Sequence, residues 1–431
     1  MDDATFKKIL ERAVGRENAA IAFPAFRQPA SVSVRINPSK VADPEAFVAS
    51  CFGGGAEKVP WSPFGYLLPE RPQFTLDPLF HAGCYYVQDS SAMFAGEVFR
   101  NLPGRFGDLG RPVRVLDLCA APGGKTTDLA ASLRLALGDG FVLVANEVVR
   151  SRAGVLADNV AVWGDPNVVV TSVDPKAFAS FGGFFDAVLA DVPCSGEGMF
   201  RKDPEAAAAW SEDVVRLCAA RQRRILSDVW PSLREGGVLL YSTCTFEEAE
   251  NDGNVEWAAR ELGAETLPPP AGGPLLPTRT GTLLVPGFVK GEGQFVAALL
   301  KTSPSGTFRG RGNVLDRLHP LLSGIPEEVV KGTDLVPTAG LALSIAAGKD
   351  RYPKVELDRE TALRFLRREV IFLRDAPRGF VLVCHEGHPL GFVKNLGNRC
   401  NNLHPPSRRI RMALPERPSG PDGDKTLNMN R

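Results

Sequence analysis

Val113-Arg114-Val115-Leu116-Asp117-Leu118-Cys119-Ala120-Ala121-Pro122-Gly123-Gly124-Lys125-Thr126 reads as a buried strand, a turn of small residues and the first turn of a helix. The apolar run breaks at Pro122-Gly123-Gly124 and helical spacing takes over through Leu137. That is the opening unit of a parallel α/β sheet. Small side chains let the backbone approach a ligand closely, and free N–H groups at the helix start can bond its polar groups. Gly124-Lys125-Thr126 is also how a phosphate-cradling loop ends, but such a loop needs glycine where this chain has Cys119. The triphosphate-binding reading is set aside.

Working outward, short apolar strands are expected at Val113 to Leu118, Phe141 to Asn146, Val168 to Ser172, Ala187 to Ala190 and Val238 to Ser242. Helical patterns fill the gaps at Lys125 to Leu137, Arg150 to Val162, Pro204 to Leu233 and Glu247 to Leu262. This alternation predicts a mostly parallel sheet covered on both faces. Thr282 to Val285 and Gln294 to Lys301 read as a hairpin at one edge. Glu147 closes the second strand, where a carboxylate can hold the two hydroxyls of a ribose, and Asp174 follows the third, within reach of an adenine amino group.

Residues 1–80 form a separate small α+β unit in this reading. It has an amphipathic helix (Phe6, Ile9, Leu10, Ala13), an alternating strand Ser31 to Asn37, and loop around Gly53 to Gly55 and from Trp61 to Pro78. The α/β unit spans 81–303 and a Ser/Gly/Arg-rich linker 304–312. A C-terminal unit over 313–412 mixes strands (around Val336, Leu341 to Ile345, Phe380 to Cys384, Pro389 to Val393) with a helix at Arg359 to Glu369. The tail 413–431 has a disordered composition.

At 431 residues, 44% apolar and 23% charged, the chain has the composition of a soluble multidomain protein. Its first residues carry no secretory h-region, and no apolar run nears the ~18 residues of a membrane span. A cytoplasmic location is expected. The eight cysteines form no Cys-x-x-Cys pair, which argues against zinc or a disulfide framework, and no metal site is expected. Net charge is zero, but Pro304 to Arg431 holds 21 Lys/Arg against 14 Asp/Glu, so the rest carries seven net negative charges. A basic C-terminal third on an acidic body suggests a polyanion-binding appendage.

Asp191 and Cys194 follow the fourth strand and Cys244 the fifth, 50 positions from Cys194. Neighbouring strands would aim both thiols at one ligand. Carbon 5 of cytosine is a poor nucleophile and accepts a methyl group only after another nucleophile has added to carbon 6. That chemistry needs a thiolate, an acidic residue at the ring edge and a second group to remove a proton.

Leu116 to Thr126, Asp191-Val192-Pro193-Cys194-Ser195-Gly196-Glu197-Gly198 and Ser242-Thr243-Cys244-Thr245 resemble motifs of the Nol/Nop/Sun RNA 5-methylcytosine methyltransferases. Met199 to Pro204 and Gly391 to Arg399 are similar to the bacterial RsmF/YebU branch, and His81 to Asp89 to the segment before the family's catalytic domain. The resemblance implies a Rossmann-like class I methyltransferase with a seven-stranded sheet and a C-terminal PUA-like RNA-binding region. It implies S-adenosylmethionine held by Cys119, Ala120, Ala121, Pro122, Gly123, Gly124, Lys125, Glu147, Asp174 and Asp191. It makes Cys244 the nucleophile, with Cys194 in proton removal and release. Expected RNA contacts are Lys394, Arg399, Arg408, Arg409 and Arg411, with small-subunit rRNA or the 30S subunit as partner of a monomer. Two alternatives stay open: tRNA as substrate, and a non-catalytic ribosome-assembly factor.

Overall fold

The computed structural model describes residues 1–102, 109–268, 270, 272–306, 314–325, 328–332, 334–346 and 348–413. The expected linker from 307 on and the expected tail from 414 on lie outside the described residues.

Helix α1 (Asp3–Ala25) is capped by Asp2, whose carboxylate accepts from Thr5 N, and it kinks at Gly15, where φ is 82°. Its apolar face does not pack on the N-terminal sheet. Phe6, Ile9 and Leu10 join the core of the central unit, where the Phe6 ring meets Phe200 and Phe26 meets Phe246. Strand β1 (Val32–Ile36) and helix α2 (Pro44–Phe52), capped by Asp43, precede strands β2 (Glu57–Lys58) and β3 (Gly65–Leu68). Helix α3 (Pro78–His81) leads to strand β4 (Tyr85–Val87), and the four strands form one sheet in the order β2-β3-β1-β4. Two expectations change here. The stretch read as loop from Trp61 to Pro78 contains β3, and the N-terminal sheet extends past residue 80 because β4 pairs with β1.

Helix α4 (Phe94–Arg100) leads into the central sheet. Its parallel strands are β5 (Val113–Asp117), β6 (Phe141–Asn146), β7 (Val168–Thr171), β8 (Phe185–Asp191) and β9 (Leu233–Thr243). Helices α5 (Gly124–Leu137), α6 (Arg150–Trp163), α7 (Pro204–Ala209) and α8 (Glu212–Val229) connect them, so the single helix expected over 204–233 is two. Helix α9 (Asp252–Leu262) is followed by short strands β10 (Ala264–Leu267), β11 (Leu276–Pro277) and β12 (Thr282–Leu284), then the long β13 (Gln294–Lys301). With β14 (Leu322–Ser323) the strands run β11-β12-β13-β9-β8-β5-β6-β7-β14, and β10 also pairs with β13. The expected seven-stranded sheet is thus enlarged to ten, and β13 lies inside it, antiparallel to β9. β5 to β8 are buried almost throughout because helices cover both faces, which is why they read as continuous apolar runs.

The C-terminal unit holds a hairpin, β15 (Glu328–Lys331) and β16 (Asp334–Pro337), then helix α10 (Ala339–Leu343). Strand β17 (Lys354–Glu356), helix α11 (Arg359–Leu366) and strands β18 (Gly379–His385), β19 (His388–Asn395) and β20 (Cys400–Asn402) complete it as a sheet β17-β18-β19-β20. The strand expected over 341–345 is helix α10, because the Thr338 side chain accepts from Leu341 N and starts a helical turn. This unit shares a core with the N-terminal sheet, Leu363 and Phe365 packing with Leu68 and Phe74.

Arg35 ties the N-terminal sheet to the central unit. It is fully buried; Nε donates to Gln88 Oε1 at 2.8 Å, and Nη2 donates to Gly124 O at 3.1 Å and to the Thr127 hydroxyl. Its guanidinium lies 4.6 Å from the centroid of Trp163. Arg35→Ala is expected to cost on the order of 3 kcal/mol, since a buried charge-assisted network loses its donor and leaves a void. A urea midpoint unchanged from the parent chain would contradict this.

Candidate active site

The chain runs outward from β5 to β6 and β7, then returns to β8 and β9 on the other side of β5. That reversal opens a crevice at the carboxyl ends of β5 and β8, the place where open α/β sheets bind ligands. The turn Cys119 to Gly123 lies there. Gly123 has φ 111°, a conformation that disfavours any side chain, and no side chain caps the first turn of α5. Beneath it, Asp117 is fully buried: one carboxylate oxygen accepts from the Thr126 hydroxyl at 2.6 Å, and the other has no partner. Burial pushes this carboxyl up to about 7, although the Thr126 hydroxyl works the other way.

Glu147 and Asp174 stand at the ends of β6 and β7, as expected. The buried Glu147 accepts from Val149 N at 2.9 Å and pairs with Arg152 at 3.3 Å. Arg152 also donates to Ala121 O at 3.0 Å, bracing the turn. Asp174 is exposed and caps the 3₁₀ turn after it, one oxygen accepting from Lys176 N at 3.0 Å. An uncapped helix start, an orphaned buried carboxylate oxygen and an acidic side chain at each of two strand ends form a donor and acceptor set suited to an amino-acid-bearing nucleoside.

Across the crevice the two expected thiols meet. Cys194 Sγ and Cys244 Sγ are 3.1 Å apart, and Cys244 N donates to Cys194 Sγ at 3.3 Å. Both are partly exposed and therefore reachable by a ligand. The hydrogen bond with Cys244, with burial, holds Cys194 well above the ordinary thiol range, so Cys194 keeps its proton. Cys119, in the turn itself, is pushed up by burial and by the carboxylates around it. Asp191 pairs with Lys125 at 2.8 Å. Burial pulls the Lys125 ammonium down, but the Asp191 carboxylate outweighs it and the net shift is upward, keeping the lysine charged.

The backbone fixes this geometry. Gly198 N donates to Cys244 O at 2.9 Å, and Gly293 N donates to Gly198 O at 2.9 Å. A Cβ at Gly198 would lie 2.6 Å from Gly293 O and 2.8 Å from Cys244 O, so only glycine permits the approach. Further out, Arg201 pairs with Glu292 at 2.8 Å and Lys202 with Asp89 at 2.6 Å, holding the segment after Cys194 against the rest of the chain.

The five basic residues expected to contact RNA differ in their surroundings. Lys394 is committed to Asp334 at 2.6 Å, and Arg408 is largely buried against Asp158 at 3.2 Å. Arg399, Arg409 and Arg411 are exposed. Among the described residues no group of three or more His, Cys, Asp or Glu side chains could hold a metal ion, and no helix is long and apolar enough to cross a membrane.

A doubly wound sheet with a crevice at its switch point and a Gly-rich turn is a methyltransferase fold, and here two thiols in contact line the crevice. The model for 16S rRNA methyltransferase RsmB/F matches residues 110–300, that for the N-terminal domain of 16S rRNA methyltransferase RsmF matches 3–90, and that for the RsmF PUA domain matches 352–410. Models of 16S rRNA methyltransferases thus match the N-terminal, central and C-terminal parts of the chain in order. The chain is 38% identical to ribosomal RNA small subunit methyltransferase F of Cronobacter sakazakii over 295 residues. That match covers 65% of this chain and 58% of the relative, so well over a third of the relative's length lies outside it. Among solved structures, a methyltransferase homolog from Pyrococcus horikoshii superposes with TM-score 0.56 at 27% identity, over 67% of this chain and 92% of that one. NSun6 from Pyrococcus horikoshii, solved with SFG, gives TM-score 0.56 at 19% identity over 69% and 98%, a likeness of fold.

Proposed function

We propose that this chain methylates carbon 5 of cytosine in small-subunit rRNA, using S-adenosylmethionine and a transient thioether to Cys244. The observation that carries this reading is the 3.1 Å sulfur pair, set beside the Lys125–Asp191 pair and the Gly123 turn. The residues fit the donor: the turn Cys119 to Gly124 and the Asp117 oxygen lie where its amino-acid end would be held, and Glu147 and Asp174 where its nucleoside would. When bound, S-adenosylmethionine supplies the methyl group that carbon 5 accepts.

The protein's own groups account for the rest. Cys244 sulfur adds to carbon 6, and the displaced double-bond electrons make carbon 5 nucleophilic. The Lys125 ammonium donates to the polar edge of the ring and stabilises the negative charge that gathers there, while the Asp191 carboxylate accepts from the exocyclic amino group and holds the lysine in place. After methylation the carbon 5 proton must leave and the carbon–sulfur bond must break. Cys194 gives its proton to the departing Cys244 sulfur and takes the one from carbon 5; both end as thiols, and one proton is then lost to solvent. A purely binding function gives no reason for two such thiols in contact. The target base must leave its stack to reach the crevice. We place the enzyme in the cytoplasm as a monomer, with rRNA or the 30S subunit as partner.

Bisulfite mapping of rRNA and tRNA from cells with and without the gene tests this. Loss of one 16S cytosine modification is expected; loss confined to tRNA would move the substrate, and no loss would sink the reading. Arg399, Arg409 and Arg411, replaced together by alanine, should lower the slope of log affinity against log salt by about 2 in binding titrations with an rRNA fragment. An unchanged slope would mean that RNA does not contact these three side chains.

A further inference from the structure

Behind the sulfur pair lies a buried polar cluster that the mechanism above does not use. Ser195, next to Cys194, puts its hydroxyl 2.8 Å from both carboxylate oxygens of Glu197, 3.0 Å from Thr245 Oγ1, and in hydrogen-bond contact with Glu250 Oε1. Thr245, next to Cys244, donates its hydroxyl proton to Glu197 and accepts from Glu247 N at 3.0 Å. Trp210 Nε1 also donates to Glu197. Glu250 Oε2 accepts from Gln222 Nε2 at 2.6 Å and from Ser195 N at 3.2 Å. Both glutamates are fully buried, and every partner named here is neutral.

One hydroxyl carries one proton. Ser195 can donate to Glu197 or to Glu250 but not to both, so the other contact needs a proton on the carboxyl itself. Glu197 accepts from the Trp210 N–H on one oxygen and from the Thr245 O–H on the other, so both its oxygens already face donors, whereas Glu250 Oε1 faces only the Ser195 side. A proton on Glu250 Oε1, aimed at Ser195 Oγ, gives both serine–carboxyl contacts a proton and leaves only the Ser195–Thr245 approach without one. We infer that Glu250 is a positioning residue that works as a neutral carboxylic acid, its proton joining the Cys194 loop to the Cys244 loop through Ser195 and thereby holding the two sulfurs in register. Gln222 strengthens the link, since it also donates to Pro193 O at 3.0 Å.

Burial, with the Glu197 charge, lifts the Glu250 carboxyl to about 7, while its hydrogen bonds from Ser195 and Gln222 pull the other way. The titratable groups that interact with it are Glu197 and Cys194 on the loop after β8, Cys218 on α8 and Tyr241 on β9; Arg221 acts on Cys218 and Arg223 on Tyr241, and Glu247 lies three residues before it, its carbonyl accepting from Glu250 N. Above the ordinary glutamate range of about 4.3 the unfolded chain has lost this proton and the folded chain still holds it. Stability linked to Glu250 is therefore full at low pH and declines as pH rises toward about 7, the window between the unfolded and folded values.

This inference rests on the methyltransferase reading for its consequence but not for the proton. Infrared spectra of the full chain and of Glu250→Gln are to be compared at pH 5 and pH 9. The difference should contain a protonated-carboxyl band at pH 5 that is gone at pH 9; its absence at pH 5 overturns the inference even if the chain is an active methyltransferase. In methyl-transfer assays Glu250→Ala should lose about 10²-fold in kcat, the scale of a small misplacement of reacting groups. Glu250→Gln, which keeps a donor toward Ser195, should recover most of that loss and lack the fall in rate at alkaline pH shown by the parent. A Gln variant with the parental pH profile overturns the positioning role. If the parent methylates no RNA, the proposed function fails and the infrared result still decides the proton. If Glu250→Ala does not fold, the Gln variant alone decides the pH profile.

Discussion

Cys244→Ala should reduce methyl transfer by at least ~10⁴-fold, a loss typical of removing a nucleophile from a catalytic unit. Without the sulfur, carbon 6 has no partner and carbon 5 stays unreactive, so the loss falls on kcat. Donor affinity should hold, because the Gly123 turn, Asp117, Glu147 and Asp174 are untouched. Folding should hold too, since Cys244 is partly exposed and its backbone contacts to Gly198 and Cys194 do not need the thiol to form a strand end. Transfer of labelled methyl from the donor to RNA, read beside binding of a donor analogue, separates these effects. Residual activity within tenfold of the parent would remove Cys244 from the chemistry. Asp191 or Cys194 would then have to carry the addition.

What the sequence disclosed of this site was local. The turn at Pro122-Gly123-Gly124 and the strand ends at Asp191 and Thr243 are written in periodicity and small residues, and those features need no distant partner. The contact between Cys194 and Cys244 followed from topology, because a doubly wound sheet places β8 beside β9. Glu250 was not legible. It sits in the acidic run Glu247-Glu248-Ala249-Glu250, which reads as the solvated first turn of a helix, yet α9 starts only at Asp252 and the run folds inward onto Ser195 and Gln222. Arg35 was hidden for the same reason: it sits in an alternating strand and is buried only because α5 and Trp163 come from elsewhere in the chain. In the basic appendage the sequence counts charge without showing its partners. Lys394 and Arg408 count as positive charge in sequence, but their partners Asp334 and Asp158 lie 60 and 250 residues away. Helix α1 shows how strongly long-range packing overrides chain order. It is the first element, yet Phe6 and Phe26 brace Phe200 and Phe246, the aromatic residues just beyond the two thiol loops.

Cys194→Ala should produce the opposite outcome to the first variant: a protein–RNA adduct that survives denaturation and accumulates to near one equivalent of enzyme. Addition to carbon 6 needs only Cys244, whose position is set by the Gly198 and Gly293 backbone bonds. On the proposed mechanism, release needs a group beside the leaving sulfur that can also take the carbon 5 proton, and Cys194, 3.1 Å from Cys244, is the group proposed for it. Its raised affinity for a proton suits it to hand one over only when a sulfur with developing negative charge is beside it. Removing it should slow turnover by about 10²- to 10⁴-fold, the usual range for a general acid or base, while the first methyl transfer stays fast. A gel-shifted, heat-stable band that forms only with donor present, and that vanishes in the Cys194→Ala/Cys244→Ala double variant, is the expected signature. Normal turnover without adduct in Cys194→Ala would pass the release step to water, and the close sulfur contact would then serve only to orient the nucleophile.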